Sequence, residues 1–320
     1  MKRFAMSAIV GFALATVGCS SSSTSTPPIT FQNIYVGDRT NNTLSIFASH
    51  ANGNVAPLST ISGAATLLNE PYYIFVDSSG NTWASNYTGG VAGSITKYTA
   101  GSSGNTAPAT TISGASTLLV GPCGIYVDAA GKIYNANCNG NTVNVFAAGT
   151  SGNTAPTQSI SGAATTLVFP EGITLDGSGN IWVGDCANGA AAGVKEWPNG
   201  ATGPVAPTTT VSNAAMTCPL GVAFDSSGKL YVAECGGPDA VYVFAAGASG
   251  ASVPVQTISG ANTKLSCPYE VALDQFGDIW VGSHGDVLAW PPGTTGNIAP
   301  SVDITGPATG LTTPQAVWLH

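Results

Sequence analysis

Apolar residues along this chain come in short alternating runs separated by polar, glycine-rich turns, with no helical spacing. Residues 171–219 show the unit: EGITLDGSGNIWVGDCANGAAAGVKEWPNGATGPVAPTTTVSNAAMTCP. Residues 173–176 predict a short strand, and 177–180 a turn of residues that tolerate positive φ. Residues 181–185 predict a second strand carrying Trp182. Residues 194–197 predict a third and 207–211 a fourth. Four short strands in about 48 residues make one blade of a β-propeller.

The unit repeats. A proline precedes an apolar run at Pro71, Pro122, Pro170, Pro219, Pro268 and Pro314, and the intervals run from 46 to 51 residues. A second proline, after Ala or Val, recurs at Pro57, Pro108, Pro156, Pro207, Pro254 and Pro300. A Ser-Gly-Ala-like triplet keeps the same phase, starting at Ser62, Ser113, Ser161, Ser212, Ser259 and Thr305. The ends are complementary. Residues 34–71 hold only strands two, three and four, and residues 315–320 hold only strand one. The fold class is therefore all-β: a six-bladed β-propeller whose composite blade is closed by 315–320 against 34–71, leaving no free sheet edge. An open solenoid would instead show capping repeats.

The first 33 residues do not join this pattern. Lys2 and Arg3 precede a short apolar run, then Gly18-Cys19 and a serine tract. That order predicts an export signal, too short to be a permanent membrane anchor. It resembles the lipobox of bacterial lipoproteins, with Thr16 where that family usually has Leu. The resemblance implies lipidation at Cys19, a leader at 1–19 and a tether at 20–33. The expected location is the cell envelope or beyond, with the membrane met through the lipid.

Composition narrows the partners. Charged residues are 8% of the chain and hydrophobic ones 43%, which suits a packed β-protein with a neutral polar surface. Without the leader the charge is about −10, and no basic stripe is present, so nucleic acid is not an expected partner.

The runs PCGIYVDAAGKIYNAN, PEGITLDGSGNIWVGD and PLGVAFDSSGKLYVAE resemble the NHL-repeat family. That resemblance covers residues 34–320. It implies the propeller fold, which hosts binding proteins, lyases and lactonases alike.

Six cysteines remain besides Cys19 and suit an oxidising compartment. Cys138, Cys186 and Cys235 follow strand two, whereas Cys123, Cys218 and Cys267 flank the repeat proline. A turn near Ala130 puts Cys123 opposite Cys138. Cys186–Cys218 and Cys235–Cys267 share one spacing. Cys218–Cys235 is the competing pairing, which strands Cys186 and Cys267 two blades apart.

Candidate chemistry gathers where loops enter strand one and leave strand two, at one mouth of the channel. Strand two closes on Asp38, Asn86, Asn137, Asp185, Glu234 and Ser283. The repeat proline is followed by Tyr72, Cys123, Glu171, Leu220, Tyr269 and Gln315, with Glu270 one step on. Of these, Glu171, Glu234, Asp185, Asp38, Asn137 and Asn86 are the ligand-binding candidates, and acidic and amide oxygens so arranged could hold Ca²⁺ or another divalent cation. The plainer role for the strand-two acids is to accept loop amides. Glu171 and Glu234 depart from their repeat columns, which favours a functional role for them. The acids Asp77, Asp128, Asp176, Asp225 and Asp274 each precede a glycine by three and read as turn residues. Trp83, Tyr134, Trp182, Tyr231 and Trp280 read as packing between blades.

Gluconolactonase/regucalcin-type propellers hold a divalent metal with Glu, Asn and Asp, which Glu171, Asn137 and Asp185 could imitate. Streptogramin-lyase-type propellers use His with an acid, for which this chain offers His284 with Glu270 as weak catalytic candidates. The leading expectation is a surface-anchored binding module for a protein, glycan or small ligand. The alternatives are a metal-dependent hydrolase or lyase at the acidic mouth, and a structural envelope protein.

Overall fold

Each predicted strand pair closes on the same local device. In a computed structural model, which describes residues 32–90, 92–187 and 192–320, the strand Pro170–Leu175 turns at Asp176 and returns as Ile181–Asp185. Asp176 Oδ1 accepts the amides of Ser178 (2.8 Å) and Asn180 (2.9 Å), while Oδ2 accepts Trp182 Nε1 (3.1 Å). Partial burial pushes this carboxyl up, but the bonds from Trp182 and the turn outweigh it and hold it below its ordinary value. The same acid-to-aromatic bond recurs from Trp83 to Asp77, Tyr134 to Asp128, Tyr231 to Asp225 and Trp280 to Asp274. The in-phase aromatics thus tie each hairpin as well as pack. In the composite blade His320 replaces the acid, and its ring meets Tyr35 edge-on at 6.4 Å.

Six sheets result. Blade 1 orders Pro314–Leu319, Ile34–Asp38, Thr43–Phe47 and Ser59–Ile61 from the inside out. The closing pair runs in register from Ile34↔Leu319 to Gly37↔Ala316. Gln32 and Asn33, at the end of the expected tether, also join it: Asn33 N donates to the His320 carbonyl at 2.8 Å. Blades 2 to 6 start on Pro71–Val76, Pro122–Val127, Pro170–Leu175, Pro219–Phe224 and Val271–Leu273. Blade 4 carries a fifth strand, the two residues Gly250–Ala251 lent by blade 5.

The ring is clasped at its outer edge. A glycine from each blade's outer loop pairs in parallel with the outer strand of the blade before it: Ile61↔Gly104, Ile112↔Gly152, Ile160↔Gly203, Val211↔Gly250, Ile258↔Gly296 and Ile304↔Gly53. The residue after four of these glycines is an asparagine. Its Oδ1 accepts an amide of the previous blade, as Asn105 does from Ala65 at 2.7 Å. This explains the Ser-Gly-Ala triplet. Gly63 has φ +114, and a Cβ there would lie 2.5 Å from Asn105 Oδ1.

The inner strands of blades 2 to 5 carry a bulge just after the repeat proline. Adjacent inner strands touch there. A Cβ on Gly124, Gly172 or Gly221 would come within 2.6 Å of the next strand's carbonyl. Two of the six blades break that column of small residues: Tyr73 in blade 2 and Glu270 in blade 6.

Three disulfides form, in the pairing favoured above. Cys123–Cys138 lies within blade 3, Cys186–Cys218 joins blades 4 and 5, and Cys235–Cys267 joins blades 5 and 6. They suit an oxidising, exported setting. Among the described residues no helix is long and apolar enough to cross a membrane. Cys19, the leader and the tether to residue 31 lie outside the described residues.

Candidate functional site

The strand-two column builds the mouth rather than facing into it. Asp38 Oδ2 accepts the amides of Thr312 (2.5 Å) and Thr313 (3.0 Å). Asn86 and Asn137 accept from Asn69 (3.1 Å) and Val120 (2.7 Å). Asp185 accepts from Val168 and Phe169, and pairs with the buried ammonium of Lys195 at 2.5 Å. Glu234 Oε1 accepts from Thr217 (2.7 Å) and Cys218 (2.8 Å), and Ser283 Oγ from Ser266 (2.9 Å). All six are buried. Each side chain therefore pins the loop that enters its own blade's inner strand, as the plainer role required. Glu234 keeps Oε2 buried without a partner, and burial raises its carboxyl although the loop amides oppose that.

The cation reading fits this geometry poorly. Asp185 is engaged by two amides and an ammonium. Asn137 Oδ1 is engaged by Val120, and its amide nitrogen donates to the Leu118 carbonyl. Glu171 is pushed up to about 8, first by burial and then by Asp185, against the pull of Arg39. A carboxyl that is neutral at pH 7 is a weak donor to a hard cation. Among the described residues, one group of three or more acids, histidines or cysteines brings its ligand atoms within 4.8 Å of one another: Cys123, Cys138 and Glu171. Its two sulfurs are joined to each other and are not thiolates. These residues do not form a metal centre.

His284 and Glu270 are not assembled as a pair. His284 is exposed, with its ring 5.3 Å from Tyr269. Glu270 is buried, and its Oε2 accepts the Val317 amide at 2.9 Å. Burial holds the Glu270 carboxyl well above its ordinary value.

The mouth instead divides into two halves. The residue just after strand two is Arg39, Tyr87 or His284 in blades 1, 2 and 6, and Cys138, Cys186 or Cys235 in blades 3, 4 and 5. The cysteine half is stapled by the disulfides. The other half carries an arc of rings: Tyr87 to Tyr72 at 4.8 Å, Tyr72 to Tyr269 at 6.0 Å, and Tyr269 to His284 at 5.3 Å. Arg39 lies over Tyr72 and Tyr87, at 4.7 and 5.5 Å from their centroids, and its Nη2 is 3.4 Å from Glu70 Oε2.

Beneath the arc lie buried polar atoms without partners. Glu171 Oε2, Gln315 Oε1 and the Tyr73 hydroxyl are each without a hydrogen bond, on side chains 2%, 1% and 2% exposed. Burial, and after it the carboxylates of Glu171 and Glu270, push the Tyr73 hydroxyl far above its ordinary value. Orphaned buried polar atoms cost stability and mark a place where a ligand or water completes the bonding. The sequence placed Glu171, Tyr72, Tyr269 and Gln315 at the mouth but gave only Glu171 a role, and Arg39, Tyr73 and Tyr87 were not among its site residues. The signal was available, because Arg39, Tyr87 and His284 occupy the column of the bridging cysteines.

No family model matches the chain, and no curated protein does. Solved structures share its fold. The periplasmic gluconolactonase of Pseudomonas aeruginosa is 14% identical, with a TM-score of 0.58, over 90% of this chain and 98% of that one. A Bacteroides uniformis protein assigned as a 6-phosphogluconolactonase is 13% identical, with a TM-score of 0.61, over 90% and 99%. A streptogramin B lyase is 15% identical, with a TM-score of 0.51, over 90% and 86%. At these identities the likeness is one of fold.

Proposed function

We propose that this chain is an exported binding propeller, anchored through lipid on Cys19, that takes a neutral, hydroxyl-rich ligand of the saccharide class at the tyrosine-lined mouth. The observation that carries this reading is the arc Tyr87–Tyr72–Tyr269–His284 set above the unpartnered oxygens of Glu171 and Gln315. Tyrosine rings offer apolar faces with polar tips, which suits a sugar ring. A carboxyl with a pKa of about 8 is a donor at neutral pH, and the Gln315 carbonyl is an acceptor, so alternate hydroxyls of one ligand satisfy both. Among the described residues the mouth has no unpaired lysine or arginine, since Arg39 is paired with Glu70, which disfavours an anionic ligand.

A second reading, a hydrolase or lyase, draws on the same carboxyl. A group titrating near neutrality in a mouth is a candidate general acid or base. The likeness to a gluconolactonase and a streptogramin B lyase supports that reading at the level of fold. Under it Glu171 replaces the pair His284 and Glu270 as the acid–base group.

The test is calorimetric titration of the purified protein with neutral gluco-, manno- and chito-oligosaccharides, followed by assay of any binder for turnover. Binding that Tyr269→Ala abolishes, with the ligand recovered intact, supports the binding module. Turnover that Glu171→Gln abolishes supports the enzyme instead.

A further inference from the structure

The chain enters the propeller at the face opposite the mouth, where the acid-anchored hairpin turns lie. Strand Ile34–Asp38 rises from that hairpin face to the mouth, where Asp38 accepts the Thr312 and Thr313 amides. Its lower end is tied down. Asn33 N donates to the His320 carbonyl at 2.8 Å, and His320 N returns a bond to the Asn33 carbonyl at 3.1 Å. Gln32 Oε1 accepts the Gln275 amide at 2.9 Å, and Gln32 Nε2 donates to the Leu319 carbonyl at 3.3 Å. Gln275 belongs to the blade 6 hairpin turn, whose Asp274 accepts the Phe276 and Asp278 amides. The point of entry is thus fixed on the hairpin face, between blades 6 and 1.

The distance to the expected lipid is short. Cys19 lies thirteen residues before Gln32. A chain of that length spans about 45 Å fully extended and averages about 20 Å as a coil. The six residues from Gln32 to Asp38 rise about 20 Å, and strands three and four stand about 10 Å further out. A lipid on Cys19 therefore reaches a bilayer beneath the hairpin face without stretching the chain. Turning the mouth to that bilayer would route the chain out past strand four and up the blade wall. That path is about 30 Å, roughly one and a half times the average coil. The hairpin face has no need to enter the membrane. It carries the turn carboxylates of Asp176 and its counterparts, whose hydration a bilayer interior would remove.

We propose that the anchored propeller holds its hairpin face toward the bilayer and its mouth away from it. The mouth then takes free or polymeric saccharide from the aqueous phase, and not the head group of a glycolipid in the same leaflet. The orientation rests on the lipid at Cys19 proposed above, and its saccharide consequence on the reading of the mouth.

The test uses the full chain, expressed with its leader and reconstituted in phosphatidylcholine vesicles that carry a rhodamine lipid as energy acceptor. Ser178 and Val168 flank the inner strand Pro170–Leu175 on opposite faces, and both are exposed. A donor dye is attached through p-azidophenylalanine in place of one or the other. Transfer to the membrane should be at least twofold greater from position 178 than from position 168. Twenty Gly/Ser residues inserted after Ser23 should bring that ratio toward one. A saccharide of the panel that binds in zwitterionic detergent should bind the vesicle-held protein within twofold of that affinity. The same saccharide linked to phosphatidylethanolamine in those vesicles should not displace it. Equal or greater transfer from position 168, a ratio unmoved by the insertion, or displacement by the glycolipid overturns the proposal. The failures of its premises read separately: mass analysis showing no lipid on Cys19 removes the anchor, and a panel without a binder removes the saccharide reading while the dyes still decide the orientation.

Discussion

The guanidinium of Arg39 sits 4.7 Å above the ring of Tyr72, and its Nη1 is 3.4 Å from that tyrosine's hydroxyl. The contact joins blade 1 to blade 2 at the mouth and brings positive charge close enough to Glu171 to lower its carboxyl. The ring of Tyr72 is buried and Arg39 is about a third exposed, so the cation–π contact contributes about 1–2 kcal/mol. Arg39→Ala should therefore cost about 1–2 kcal/mol of folding stability, measured by urea unfolding at pH 5. The same variant should raise the titration of Glu171 above its present value near 8, read from the carboxyl resonance by NMR.

Glu171 makes stability depend on pH in a definite direction. Its folded pKa of about 8 exceeds the ordinary 4.5, so the folded state keeps a proton that the unfolded state has lost between those values. Stability should fall as pH rises through that window, by about 1.4 kcal/mol per pH unit for this group. Glu171→Gln should remove that contribution and make the protein more stable than its parent at pH 8. Glu270 is raised in the same direction, so some slope should persist in the variant. Urea midpoints from pH 5 to 8 for both proteins check this.

The disulfides should differ in worth. Cys186–Cys218 and Cys235–Cys267 each close 32 residues, and Cys123–Cys138 closes 15. By loop entropy the longer bridges contribute about 4 kcal/mol each and the shorter about 3. Paired Cys→Ala variants, compared in urea, should keep that order.

Calcium should not stabilise the protein. The donors that would serve it are engaged by Val120, Val168, Phe169 and Lys195. Melting temperatures in EDTA and in millimolar Ca²⁺ should coincide. A rise in Ca²⁺ would show a site that these contacts do not explain.

Most of the fold was legible because it repeats. Pro71 and its counterparts mark every inner strand, and the split between 34–71 and 315–320 states how the ring closes. The disulfides followed from blade geometry. The site was less legible. Residue type says nothing about direction, so Asp38 and Asp185 read either as acceptors of loop amides or as ligands and Glu234 read as functional; all three turn to their own loop amides. Tyr72 and Tyr269 each lie one blade from blade 1, nearly two hundred residues distant in sequence, and their rings meet at 6.0 Å. That proximity is a property of the closed ring, which no local pattern records. Glu171 was found because it broke its column.

The most direct test of the mouth as a neutral-ligand site is the double variant Tyr72→Ala/Tyr269→Ala, compared with its parent by calorimetric titration against the oligosaccharide panel. The two rings meet at 6.0 Å, and both stand above Glu171 and Gln315. The parent should bind at least one neutral oligosaccharide with Kd tighter than about 1 mM. The folded double variant should lose at least tenfold in affinity. A parent that binds none of the panel, or a folded double variant that binds as its parent does, would contradict the account.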